Sequence, residues 1–306
     1  MLFHPDSLPP DLVDLVALLP PLAAALFFFR VDAALPLAAA FAIGLAVQVG
    51  ARLLRLPLRG SPALVALLGV GLCGPLTDRA WILAIALAAA LAEVLRGRFW
   101  PQARIHTGLL AYSAAFLASQ GMVAAYARPG TAQLFPEPIQ QWSRFYGGAA
   151  HFIDPVTLYV GNVAGPLLGT SLLAVLIGLA WLWYARRLSL LTAGGFLIGG
   201  ILIAVGLHWD PLFQLDSGPA WLCAGYVLAD RRLLPSDPAL RPVIGLAAGV
   251  VGLALRAEHM YIEAFFLAVA ALQTFIAVIE LAGLLAARRL RISRERRLSR
   301  KARDAA

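Results

Sequence analysis

Apolar runs of near-bilayer length, separated by short polar connections, recur along almost the whole chain, and this alternation fixes its solvent before any motif is read. A hydrocarbon core about 30 Å thick needs about 20 apolar residues in helical form. Runs near that length lie at 12–29, 33–54, 62–76, 80–97, 105–126, 166–185, 190–208, 217–229, 240–256 and 262–286. With 60% hydrophobic and 14% charged residues, the chain is more apolar than a soluble surface tolerates. The expected class is all-α: a polytopic membrane protein of about ten transmembrane segments, the third and eighth short.

The first run is expected to stay as a helix and not to act as a cleaved signal. The residues before it carry acids where a signal peptide is basic, and no small-residue cleavage site follows it. Pro20 and Pro21 within it predict a kink whose freed carbonyls need other partners. Of the 25 Lys and Arg, 20 fall in alternate loops and in the stretch after 287, which places those loops and both termini in the cytoplasm. The same count accounts for the net charge of +8. The excess sits in one basic tail, 287–306, a topology determinant and anionic-lipid anchor, so the charge implies membrane lipids and no nucleic acid.

Two short segments share an opening. The third begins after Ser61-Pro62 and the eighth after Ser217-Gly218-Pro219, and each is third in a run of five. An odd number of crossings reverses the exit side, so a duplicated five-segment unit must be inverted. Paired short segments in inverted repeats place a site near the bilayer midplane; two unrelated short helices filling a bundle is the other reading. The expected organisation is one membrane domain, 1–286, with repeat 1 at about 12–126, an outer loop at 127–165 and repeat 2 at about 166–286. The outer loop contains no run long enough to cross and reads as a surface or partner-docking element.

Residues 154–178 read DPVTLYVGNVAGPLLGTSLLAVLIG. This stretch, the segment order and the Ser-Pro entry resemble the RnfD/NqrB family over roughly 22–285. Its members are membrane subunits of the Rnf electron transport complex and of the sodium-pumping NADH:quinone oxidoreductase. In that family a D-x-x-S/T-G-A-T loop carries FMN as a phosphoester on its last Thr, followed by G-N-x-x-G and G-E-T-S. Here Asp154 and Thr157 begin the pattern, Gly161 and Asn162 match the second element, and Gly169, Thr170 and Ser171 match the third. The acceptor position is Val160, which has no hydroxyl. The resemblance therefore implies FMN or another flavin held noncovalently if at all, with covalent FMN not expected. Thr157 stands nearby without the Gly-Ala that follows in relatives. Phe99-Trp100-Pro101 and Leu228-Ala229-Asp230-Arg231 stand where relatives show F-N-P and A-T-D-P, so Asp230 persists as a cofactor-binding candidate among changed neighbours.

Other residues admit two readings each. Gly-rich backbone at 161–169 together with Trp181, Trp183 and Tyr184 would cradle a flavin ring, or the aromatics form an interface belt. His151, His208 and His259 lie near acids in outer loops, without tight metal spacing. Cys73 and Cys223, one in each short segment, form half of a four-Cys cluster site or stay as buried thiols. Glu93 and Glu280, acids in apolar runs, mark an ion entry, or Glu93 pairs with Arg96 at i+3. Gly195 with Gly199 and Gly245 with Gly249 are small-xxx-small pairs for close helix packing.

No catalytic triad, P-loop, dinucleotide fingerprint or metal motif is present in the sequence. The chain is expected to be at most a non-catalytic or cofactor-carrying subunit of a membrane oxidoreductase in the bacterial inner membrane, with companion electron-transfer subunits or a periplasmic flavoprotein. The alternative is a solute or ion pathway, or a membrane scaffold, that kept the fold after losing redox function.

Overall fold

The computed structural model describes residues 8–131, 133–146, 154–216 and 219–304, with backbone alone for 144–146 and 285–304. Among these residues the regular structure is helical. In chain order the helices are α1 (Pro10–Phe29), α2 (Val31–Leu53), α3 (Pro62–Gly71), α4 (Arg79–Phe99), α5 (Thr107–Ala118), α6 (Pro138–Tyr146), α7 (Pro155–Val160), α8 (Leu172–Tyr184), α9 (Leu190–Gly206), α10 (Pro211–Asp216), α11 (Pro219–Leu222), α12 (Leu240–Leu255) and α13 (Glu263–Asp304). A π-helical turn, Cys223–Leu228, extends α11, and another, Arg256–Met260, extends α12.

Five helices are long and apolar enough to cross a membrane: α1, α2, α4, α12 with its extension, and the Glu263–Leu284 part of α13. Five more are apolar but shorter: α3, α5, α8, α9 and α11 with its extension. Together they account for all ten apolar runs of the sequence. The chain is a multi-pass membrane protein.

Helix starts follow from local chemistry. Ser61, Ser171 and Ser189 cap α3, α8 and α9, accepting hydrogen bonds from the amides of Leu64, Ala174 and Thr192 at 3.4, 3.3 and 3.4 Å. Pro62 opens α3, where its missing N–H costs nothing. The run 62–76 yields only ten helical residues because its end turns to a different partner. The amides of Gly74 and Leu76 donate to the carbonyls of Val123 and Ala125 at 3.0 and 3.1 Å, pairing the end of α3 with the chain that leaves α5.

Packing puts two helix pairs around the short elements. Helix α1 continues through Pro20 and Pro21 and lies antiparallel to α8, with Trp181 Nε1 donating to the Val13 carbonyl at 3.0 Å. Helices α9 and α12 run in close contact. A methyl group on Gly195, Gly199, Gly245 or Gly249 would meet backbone of the facing helix, so both small-xxx-small pairs serve this one interface. The last helix continues to Asp304, so the basic tail is a backbone extension of the tenth apolar segment.

Candidate functional site

The loop singled out by sequence is held together by its own residues. Asp154 caps α7, its carboxylate accepting from the amides of Val156 and Thr157 at 3.4 and 3.3 Å. The Thr157 hydroxyl donates back to the same carboxylate at 3.2 Å. Val160 is 38% exposed and ends in methyl groups. Gly161 follows with φ +100°, and a Cβ there would stand 2.5 Å from Ser171 Cα, so only glycine lets α7 close onto the start of α8. The amides of Leu167 and Leu168 donate to the carbonyls of Cys73 and Gly71 at 3.0 and 2.8 Å. Thr170 is buried, and its hydroxyl has no hydrogen-bond partner.

Asp154, Thr157, Gly161, Asn162, Gly169, Thr170 and Ser171 are thus gathered at the N-terminal end of α8. Two other expected members are not. The aromatic half of the flavin cradle, Trp181, Trp183 and Tyr184, sits at the far end of the same 13-residue helix, about 15 to 20 Å away at 1.5 Å per residue. That cradle is therefore not formed. Trp181 is instead bonded to α1, and Trp183 is exposed. Asp230 also lies at the far end, bridged to Leu188, with Arg231 N donating to the Arg187 carbonyl at 3.0 Å.

At that end a cavity of about 370 Å³ opens between the start of α1, α3 and α5 and the ends of α4, α8 and the α11 extension. Asp14, Glu93 and Asp230 line it, with Arg59, Arg96, Arg187 and Arg232 facing them. Glu93, 2% exposed, is bound through both carboxylate oxygens by the Nε and Nη2 of Arg96 and accepts from Thr107 Oγ1 at 3.0 Å. Arg232 holds Asp230 with Nε and Nη2 at 2.9 and 2.6 Å and reaches Asp14 at 2.7 Å. Arg187 approaches Asp14 only to 3.6 Å, and its Nε and Nη2, both shielded from solvent, make no hydrogen bond.

Two capped helix starts face the same space. Ser61 caps α3 and donates to Gln48 Oε1 at 2.8 Å. His106 caps α5, its Nδ1 accepting from the Leu109 amide at 3.2 Å. The His106 amide is tied across the bundle to Gln273 at 2.9 Å. An acceptor role at Nδ1 fixes the ring as the tautomer with its proton on Nε2. Sequence reasoning takes Arg59, Arg187 and Arg232 only as topology markers, Arg96 also as the partner of Glu93, and passes over Asp14. The signal is nevertheless present: Asp14 is an acid within the first apolar run, as Glu93 is within the fourth.

The remaining candidates fall elsewhere. Glu93 takes the i+3 pairing with Arg96, and Glu280 pairs with Arg104 at 3.2 Å. Cys73 and Cys223 are buried free thiols. His208 and His259 sit in left-handed backbone, with φ of 58° and 63°; His151 lies outside the described residues. At the opposite face from the cavity, Glu137, Arg256 and Glu263 are all at most 5% exposed. Glu137 caps α6, accepting from Ile139 and Gln140 amides at 2.6 and 2.8 Å. Arg256 donates to the Gln214 carbonyl at 2.6 Å, and Tyr126 donates to Glu263 at 2.7 Å. Burial, with the nearby Glu263 charge, pushes the Glu137 carboxyl up to about 8 against the opposing pull of Arg256.

Comparison with known protein families identifies a match over most of the chain. The model of the NQR2, RnfD, RnfE family covers residues 12–282, which includes both the α7–α8 loop and the cavity. No curated protein matches the chain.

Proposed function

The chain belongs to the NQR2, RnfD, RnfE family, and from that premise we propose that it is the integral membrane subunit of an Rnf- or Nqr-type electron transport assembly, working without covalent FMN. The match over 12–282 is the observation that carries the reading. Chemistry supports the lack of an ester: the Val160 side chain has no oxygen to bond phosphorus, and the Thr157 hydroxyl donates to Asp154. Any flavin the chain holds is held noncovalently.

In this reading all ten apolar helices cross the bacterial inner membrane, as two inverted five-segment repeats whose short third members are α3 and α11. The packing supports it: α2 lies against α4 and α9 against α12, the second and fourth members of each five, while α1 lies against α8, the two first members. Both termini are cytoplasmic, because the 20 basic residues of alternate loops and tail mark that side. The elements α6 and α7, with Val156 and Tyr159 exposed, face companion subunits or a periplasmic flavoprotein on the other side.

The visible absorption spectrum of the purified chain tests this. A reducible flavin near one per chain, lost on denaturation, supports it. A colourless and stable preparation contradicts it and supports the second reading, a solute or ion pathway on the same fold, for which the charged cavity is the favouring observation.

A further inference from the structure

We propose that the cavity between α1, α3, α4, α5 and α8 is a binding site for a phosphate oxyanion, with Arg187 and Arg59 as its unspent ligands. The charge arrangement points to it. Four guanidiniums meet three carboxylates in the cavity wall. Arg96 is committed to Glu93, and Arg232 is committed to Asp230 and Asp14. One positive charge remains, carried by Arg187 and the exposed Arg59, which has no hydrogen bond or ion pair among the described residues.

The state of the donors points the same way. Arg187 Nε and Nη2 are shielded from water and make no hydrogen bond, and Nη2 has only a long ion pair, 3.6 Å to Asp14. A buried guanidinium N–H without an acceptor is costly, and an oxyanion in the cavity supplies the acceptor. Phosphate suits the planar fork of arginine better than a spherical anion does, because two of its oxygens match two N–H groups.

The direction of the helices does as well. Helices α3 and α5, ten and 12 residues long, both begin at the cavity, where Ser61, His106 and Thr107 line it. Their positive ends add to the field of the guanidiniums. The cavity lies at the arginine-rich end of the helices, so the phosphate reaches it either as the headgroup of an anionic lipid or as a free ion.

The test uses the full chain in neutral detergent and in nanodiscs. One arm titrates inorganic phosphate, followed by calorimetry and by the thermal midpoint. The other compares phosphatidylcholine discs with and without phosphatidylglycerol, followed by native mass spectrometry for retained lipid. Saturable binding near one per chain is expected in at least one arm, and the arm that responds identifies the source. Arg187→Gln should weaken it at least about tenfold, the loss of a charge-assisted pair, and Arg59→Gln about threefold, with Arg128→Gln unchanged. Arg59→Gln removes no internal contact, so it reports even if Arg187→Gln fails to fold. No saturable binding in either arm, or equal binding by wild type and Arg59→Gln, overturns the site. Flavin content does not enter either readout, so this outcome is separable from that of the electron-transport reading.

Discussion

The loop at 154–171 and the basic cavity sit at opposite ends of α8 and use their polar groups in opposite ways. In the loop, the Asp154 carboxylate, the Thr157 hydroxyl and the backbone amides are spent on one another and on the end of α3, and only the small Thr170 hydroxyl is left over. In the cavity, three carboxylates are bound while one guanidinium keeps buried donors unbonded beside open space. The letters of the motif form a structural joint between α7, α8 and the end of α3, and a set of topology-setting arginines lines an open space. Recognisable sequence and available chemistry have come apart in this chain.

The largest expected effect breaks the cavity wall. Glu93→Ala leaves Arg96 and Thr107 without their buried partner, and should cost about 3–5 kcal/mol, read as unfolding of the detergent-solubilised chain in denaturant. A loss below about 1 kcal/mol would show that this wall is solvated and not a fixed frame.

Next is the joint itself. Gly161→Val forces a β-branched residue to φ +100° and against Ser171, and should cost about 2 kcal/mol or more by the same measurement. An unchanged midpoint would mean that α7 does not close onto α8 as described.

A smaller effect concerns pH at the face shared with the loop. Glu137 has a folded-state pKa of about 8 against an ordinary 4.5. Below the lower value both states are protonated and its contribution is fully present. As pH rises from there the unfolded carboxyl ionises first, so stability falls with rising pH and the loss is complete above the folded value. The thermal midpoint should decline between about pH 4.5 and 8, and Glu137→Gln should flatten that slope. An equal slope in the variant would place Glu137 in contact with water.

The smallest effect is a gain. Thr170 has a buried hydroxyl without a partner, so Thr170→Val should be neutral or stabilising by up to about 1 kcal/mol. A clear destabilisation would reveal that the hydroxyl holds something, and would return the loop to the status of a binding site.

Much of the fold is legible in the sequence because lipid imposes one rule on backbone polar groups. Every apolar run contains a helix, Ser61 marks the start of α3, and the glycines at 195, 199, 245 and 249 mark the α9–α12 contact. Lengths are less legible: 62–76 is apolar throughout, yet the helix stops at Gly71 because the segment after α5 supplies its next partners. In the site, residues close in sequence from Asp154 to Ser171 are neighbours in space as well. The cavity cannot be read in the same way, because Asp14, Glu93, Arg187 and Arg232 are brought together only by the packing of α1, α4, α8 and the α11 extension. The flavin cradle is missing for the converse reason: 161–169 and Trp181 are close in sequence, but an intervening helix holds them apart.

The most direct measurement is flavin fluorescence of the chain after denaturing electrophoresis, from cells that also make a flavin transferase. The account predicts no fluorescent band at the mass of the chain, even when the native protein is coloured. A bright band that disappears in Thr157→Ala would contradict it, showing that the loop still carries covalent flavin on a neighbouring hydroxyl.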